Sequence, residues 1–402
     1  MLSLEEAHAR LLAAAAPLPG IELPLADAAG LVLAQDVAGL RTQPPFDASA
    51  MDGYAIRFND LPGPWRVVGE SAAGARFVGT VDCGEAVRIF TGAPLPAGTD
   101  TVLVQEDARR EGTDLRLAGS GPDEAGRHVR PAGLDFGEGE PLLRRGARLT
   151  AAKLALAAAG GHAVLRVHPR PRVALLSTGN ELVAPGAVPG PDQIIDSNGV
   201  MLRALVGGVG GDAVDLGIIR DDIDAVMVAI ESARGADVLV TIGGASVGDH
   251  DLVAPALARC GAALDFWKVA IRPGKPVLIG RLGDTHVVGL PGNPVSAFVC
   301  AQLFLLPLLR RLRGEKHALP MSAPARAAVP FAANGVRRDF MRATFAWRNG
   351  ERWVTPARTQ DSSMLAVLAG ADALLVRAPN AGPVAAGEQV EIITLDNTEA
   401  DS

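Results

Sequence analysis

Between residues 172 and 309 the chain alternates short apolar, β-branched runs with helical patterns, and this alternation constrains the fold more than any other feature of the sequence. RVALL is followed by STGNEL, a helix is expected over 198–205, VDLGII is followed by RDDID, and a second helix is expected over 223–233. DVLVTI, LDFWKVAI, VLIG and HVVGL read as further strands, and a helix over 295–309 closes the unit. Repeated strands with intervening helices imply an α/β unit: a parallel or mixed sheet flanked by helices, because right-handed crossovers return each strand to the same sheet. Five segments come directly after a strand: Glu181, the pair Asp221 and Asp222, 243–251, 272–276 and 291–294. All five are therefore expected along one edge of the sheet, where ligands of such folds bind.

The segment 243–251 carries the most chemistry. Gly243 and Gly244 end an apolar run, and Ser246, Gly248, Asp249 and Asp251 follow before a helical pattern resumes. Glycines admit a substrate to the backbone, and the next helix N-terminus favours an anion. A plain phosphate cradle avoids acids, so Asp249 and Asp251 point to a divalent cation between protein and phosphate. Residues 244–248 also match the G-x-S-x-G nucleophile elbow, which makes a serine hydrolase the rival reading. Its histidine should stand on a loop after a strand, but His286 opens a strand and His317 follows a helix, so the phosphate loop is preferred. The glycine cluster 207–211 precedes a strand where a dinucleotide fingerprint must follow one, and reads as a connector.

A basic wall is expected opposite these acids. The chain has four lysines, Lys153, Lys268, Lys275 and Lys316, and two of them fall in FWKVAIRPGKP. In a chain that otherwise writes its bases as Arg, this fits a need for a compact point charge, with chance clustering weighing about equally. Lys268 and Arg272, four apart on an expected strand, would share a face. Pro273, Gly274 and Pro276 stiffen the turn that carries Lys275. Acids holding a cation and bases holding an oxyanion suit metal-assisted chemistry at a phosphate. A structural ion-pair network is the plainer alternative.

The flanks and the bulk properties complete the reading. At 402 residues the chain exceeds what one core supports. A net charge of -7 argues against nucleic acid as the main partner. Cys83, Cys260 and Cys300 show no metal-ligand spacing and fit a reducing cytosol. The opening MLSLEEAHARLL reads as a helix over 4–15 and not as an export signal. The helix over 295–309, interrupted by Gln302 and Pro307, is expected to be too short for a bilayer. A cytoplasmic protein with no membrane partner follows. A second helical pattern is expected over 25–33, and PPFDASAMDGYA over 44–55 reads as a loop. There the plain reading of Asp52 is a packed turn, and the functional one a carboxylate delivered to a site. Short strands over 56–130 suggest a β-rich insertion, with Thr91 at a strand end. Asp135 lies in a Gly-rich loop, and a helix follows over 151–159. Beyond residue 320, short strands suggest a small sheet or barrel, with Arg342 on a strand and Ser362 in the polar loop 360–364.

PPFDASAMDGYA, RIFTGAPLP, LLSTGNEL, IGGASVGDHD, FWKVAIRPGKP and GLPGNPVS occur in that order, and through them the chain resembles the molybdopterin molybdenumtransferases, the bacterial enzymes related to the gephyrin E-domain. The resemblance implies insertion of molybdate into adenylylated molybdopterin, with release of AMP and a requirement for Mg2+. It implies a homodimer and four domains: 1–45 with 135–170 as scaffold and dimerisation domain, 46–134 as β-rich insertion, 171–317 as the α/β molybdopterin-binding domain, and 318–402 as a barrel-like C-terminal domain. It also implies, as further partners, the pterin-adenylating enzyme and molybdoenzyme apoproteins. Asp52, Thr91, Asp135, Glu181, Asp221, Asp251, Lys268 and Lys275 match the family's catalytic positions, and Asp251, Glu181 and Asp221 would hold the metal. Gly243, Gly244, Ser246, Asp249, Pro273, Gly274, Pro291, Gly292, Asn293 and Pro294 match the substrate loops. Arg272, Ser296, Arg342 and Ser362 are similar to the positions that hold molybdate. Arg272 stands where many members carry Lys, and Ile242 where a small hydroxylated residue is common. The alternative from another class is a gephyrin-like assembly protein that binds receptor tails.

Overall fold

The computed structural model describes residues 1–243, 252–274 and 276–395, the side chains of Phe266 and Trp267 excepted. Gly244, Ser246, Asp249, Asp251 and Lys275, and with them the G-x-S-x-G segment, lie outside the described residues.

The alternating region forms a six-stranded sheet in the order Asp212–Ile219, Arg172–Thr178, Val238–Ile242, Thr285–Leu290, Pro276–Leu282, Ala263–Lys268. The first four strands are parallel. The last two pairings are antiparallel, so the sheet is mixed. The reason is loop length: only Gly283 and Asp284 join Leu282 to Thr285, enough for a hairpin and far too few for a crossover. Side chains of Arg172–Thr178 alternate between two cores, as strand geometry requires. Val173 and Leu175 enter a core with the helices Ser197–Gly208 and Pro294–Cys300, whereas Ala174 and Leu176 enter one with Ile223–Ser232 and Val253–Arg259. Asp196 and Asp222 start two of these helices by accepting the N–H groups of Gly199 and Ala225.

The last helix differs from expectation. It runs unbroken from Pro294 through a π-helical segment, Ala301–Leu305, to Leu312. Pro307 is tolerated because the carbonyl of Leu303, which loses its helical donor there, meets His8 Nε2 at 2.8 Å instead. At 19 residues this helix is long and apolar enough by composition to cross a membrane, but its apolar stretch is 78% buried inside the protein. It is the spine of the larger core.

Three further expectations are corrected. Only Leu25–Asp27 of the segment 25–33 is helical, as a single 3-10 turn. Gly30 then reverses the chain at φ 73°, and Val32–Leu33 pairs with Val164–His168. The expected loop 44–55 contains a strand, Gly53–Ile56, buried near the middle of a second six-stranded sheet with Thr101–Val104, Glu85–Ile89, Trp65–Ser71, Asp114–Leu117 and Ala108–Glu111. Glycine is required at 53 because a Cβ there would strike the carbonyl of Leu103. Finally, LDFWKVAI is not one strand. Ala263–Lys268 ends in the central sheet, and Ile271–Arg272 joins the C-terminal sheet beside Arg338–Asp339. Lys268 and Arg272 therefore do not share a strand face.

The C-terminal strands follow the order Ile271–Arg272, Arg338–Arg348, Glu351–Pro356, Ala323–Ala327, Gln389–Thr394, Ala373–Arg377. Arg338–Arg348 also pairs with Ala373–Arg377, which closes a small barrel around Ala327, Val354, Leu375 and Ile392. The whole is a multidomain α/β protein with a β-rich insertion and a C-terminal β domain.

Candidate functional site

At the carboxyl edge of the central sheet lies a cavity of about 550 Å³. Six separated segments meet there, at Glu181, residues 194–198, Gly243, Pro276, the run Pro291, Gly292, Asn293 and Pro294, and Ser363. The sheet topology explains the meeting, because Thr178, Ile242 and Leu290 end parallel strands at the same edge. Gly243 turns away from its strand at φ 84°, with its N–H on the carbonyl of Leu290 at 3.1 Å. Asp221 does not line the cavity but is bonded to the residue before Glu181. Its carboxylate accepts the N–H of Asn180 at 3.1 Å, and Asn180 Oδ1 accepts the N–H of Asp221 at 3.2 Å, so the two loops brace each other beside Glu181.

The cavity wall holds residues that sequence reasoning missed. Asp196 and Asn198 are buried and line it. Asp196 accepts Ser177 Oγ at 2.7 Å, while Asn198 donates from Nδ2 to the carbonyl of Gly292 at 2.7 Å and fixes the 291–294 loop. The available signal was the DSN triplet directly before a helix, which reads first as a cap.

A basic group adjoins the cavity where the barrel meets the central sheet. Arg342 is buried to 1% exposure and donates from Nη2 to the carbonyl of Asp361 at 3.1 Å. The next residue, Ser362, accepts Asn293 Nδ2 on its hydroxyl at 3.2 Å and Val295 N–H on its carbonyl at 3.0 Å. This chain of contacts links Arg342 to the cavity rim. Arg272 lies 3.7 Å from Asp339, which sequence reasoning also missed. Burial raises the Asp339 carboxyl above its ordinary range, and the neighbouring Arg272 and Arg342 oppose that rise. Burial also lowers Arg342, with Asp339 opposing and Arg272 reinforcing. Arg272 thus pairs with Asp339, while Arg342 feels the carboxylates of both Asp339 and Asp361. Ser296 is buried in the first turn of its helix. Gly274, at φ 97°, approaches the Ser296 carbonyl and the thiol of Cys300 so closely that no side chain fits. Pro273 is buried, and Lys268 is exposed at the end of its strand, paired in register with Pro276.

Asp52, Thr91 and Asp135 lie elsewhere. Asp52 Oδ1 accepts both the N–H and the hydroxyl of Thr91 at 2.8 Å, and those bonds hold its carboxyl below the usual range. Asp135 is exposed, its N–H on the carbonyl of Gln43 at 3.0 Å. Among the described residues, no hydrogen bond or ion pair ties these three to the cavity. Among the described residues, too, no group of three or more His, Cys, Asp or Glu side chains could hold a metal ion. Glu181 and Asp221 are hard oxygen donors of the kind Mg2+ takes.

Three family models match the chain: the MoeA N-terminal region (domain I and II) over residues 2–161, the probable molybdopterin binding domain over 174–311, and the MoeA C-terminal region (domain IV) over 324–395. A molybdopterin molybdenumtransferase of Haemophilus influenzae is 34% identical over 400 residues, covering 98% of both chains. Molybdopterin molybdenumtransferase 2 of Mycobacterium tuberculosis is 36% identical over 385 residues, covering 92% of this chain and 94% of that one. The crystal structure of a molybdopterin biosynthesis MoeA protein from Pyrococcus horikoshii superposes with a TM-score of 0.83 at 31% identity, covering 98% and 99% of the two chains.

Proposed function

Because the chain belongs to the MoeA family of molybdopterin molybdenumtransferases, we propose that it inserts molybdate into adenylylated molybdopterin with Mg2+-dependent release of AMP. It is a transferase of molybdenum cofactor biosynthesis. The observation that carries the detailed reading is the adjacency of the cavity to the Arg272 and Arg342 pair, joined through Asp361, Ser362 and Asn293. The cavity, walled by Glu181, Gly243 and the 291–294 loop, takes the pterin and its adenylyl group. Arg272 and Arg342, with the hydroxyls of Ser296 and Ser362, hold the tetra-oxo dianion. Guanidinium groups suit it because their forked donors bind two oxygens at once. Lys268 and Lys275 neutralise the pyrophosphate. Glu181, Asp221 and Asp251 would hold Mg2+, which when bound supplies charge neutralisation at the phosphate.

Asp52, Thr91 and Asp135 fit this reading through a homodimer, in which the β-rich insertion of one subunit faces the cavity of the other. The domain limits 1–45 with 135–170, 46–134, 171–317 and 318–402 belong to the same proposal, as does a cytoplasmic site of action. The pterin-adenylating enzyme and molybdoenzyme apoproteins are its expected partners. The test is to mix purified protein with adenylylated molybdopterin, Mg2+ and molybdate and to measure AMP. Release that requires both molybdate and Mg2+ is expected. Molybdate-independent release, or none, overturns the reading.

A further inference from the structure

The segment formed by Leu2, Ser3, Leu4 and Glu5 lies outside the cavity but is bonded to the loop that carries Lys268 and Arg272. The N–H of Leu2 donates to the carbonyl of Lys268 at 2.9 Å, and its carbonyl accepts the N–H of Ala270 at 2.9 Å. Together these bonds make a parallel bridge opposite Val269, which is fully buried. The carbonyl of Ala270 accepts the N–H of Arg338 at 2.8 Å. Ala270 therefore spends its donor on Leu2 and its acceptor on the barrel. This is the point at which the chain leaves one sheet for the other: Lys268 ends its strand in the central sheet, and Arg272 already pairs beside Asp339.

Leu2 is itself anchored. Ser3 caps the helix Leu4–Ala13 with reciprocal bonds, its hydroxyl accepting Glu6 N–H at 3.1 Å and its own N–H donating to the Glu6 carboxylate at 2.8 Å. Glu5 pairs with Arg338 at 2.6 Å. His8 Nε2 meets the carbonyl of Leu303 at 2.8 Å, and Leu4, Ala7 and Leu11 sit in the larger core. A rigidly seated helix thus presents Leu2 to the crossover.

We infer that Leu2 is a positioning residue for the oxyanion end of the site: its main chain splints the crossover and so sets the placement of Arg272 relative to Lys268. The inference rests on the proposed role of Arg272. Without the splint, the N–H of Ala270 and the carbonyl of Lys268 lose their partners, and the crossover is free to re-pair with Arg272 displaced from Asp339. The cavity walls at Glu181, Gly243 and 291–294 carry no bond to Leu2. Lys268 stays held by its strand, in register with Pro276, so the effect should fall on Arg272 and molybdate and spare the pterin.

The test compares Leu2→Pro, which removes the N–H donor, with Leu2→Ala, which keeps both main-chain bonds. AMP release is measured against molybdate and against adenylylated pterin, and molybdate binding is measured separately by calorimetry. Leu2→Pro should raise both KM and Kd for molybdate roughly fivefold, the net worth of one hydrogen bond expressed as a ratio, with the pterin KM within twofold of wild type. Leu2→Ala should match wild type. Equal molybdate affinity in the two variants, or a parallel loss for both substrates, overturns the inference. If wild-type protein releases no AMP, the reaction assignment fails, and the calorimetric comparison still decides the role of Leu2.

Discussion

Replacing Gly274 with Ala tests how tightly the turn between Arg272 and Pro276 is built. The residue stands at φ 97°, outside what an L side chain adopts readily, and its new Cβ would overlap Cys300 Sγ and stand 3.4 Å from the Ser296 carbonyl. The backbone term is about 1–2 kcal/mol. Overpacking against a fully buried neighbour adds about 1–3 kcal/mol. Gly274→Ala should therefore cost about 2–5 kcal/mol, read as a lower denaturation midpoint of the unit containing the central sheet. Cys300 is suited to the relieving change because burial pushes its thiol up and keeps it neutral, and its hydrogen bond to the Gly274 carbonyl, at 3.4 Å, is weak. Cys300→Ala alone should cost about 1–2 kcal/mol for the lost volume. Combined, the two should recover most of the overpacking and none of the backbone strain, a favourable coupling of about 1–3 kcal/mol in a double-mutant cycle. Strict additivity, or a Gly274→Ala protein as stable as wild type, refutes the packing argument.

Burial lowers His286 to about 4, with Arg281 adding to the shift. The unfolded chain then binds a proton that the folded one refuses between about pH 6.5 and 4, so stability falls as pH drops through that window, by roughly 3 kcal/mol at most. His286→Gln should flatten that slope in urea titrations at stepped pH. The Thr91 bonds depress Asp52, so their ordering effect is complete above about pH 4 and fades as the carboxylate is protonated. The Thr91 amide resonance should move with that titration, and Asp52→Asn should abolish the movement. Glu181→Gln should lower AMP release by roughly a hundredfold or more, as loss of a charged group at a reacting centre does. Because Glu181 is exposed, the thermal midpoint should stay within a degree or two of wild type.

Elements with strong periodicity were readable in the sequence. The strands near 172 and 238 and the helix near 223 are set by local pattern, and their loops converge because parallel strands end on one edge. What local pattern cannot contain is a partner distant in sequence. The crossover at Val269 and Ala270 depends on Leu2, and the strand at Gly53 depends on Leu103. The pairing of Val32 with His168 overrode a helical signal in the same way. At the site, glycines and prolines stood out because their types are unusual in context. Asp339 and Asn198 did not, since an acid on a strand and an amide at a helix start are ordinary until tertiary burial gives them work.

The π-helical segment Ala301–Leu305 fixes the phase between the two halves of its helix. The wider π turn holds about one residue more than an α turn, so one residue fewer there would restore regular α geometry and leave the two flanks close to their present phase. Ser296 and Cys300 would keep their seats beside Gly274, and Arg313 would still face the carbonyls of Gly30 and Val209 that it now bonds. A single-codon deletion is therefore absorbed best in this stretch, whereas one in the α turns on either side would rotate everything beyond it by about 100° and break the joint that Arg313 makes with the amino-terminal region.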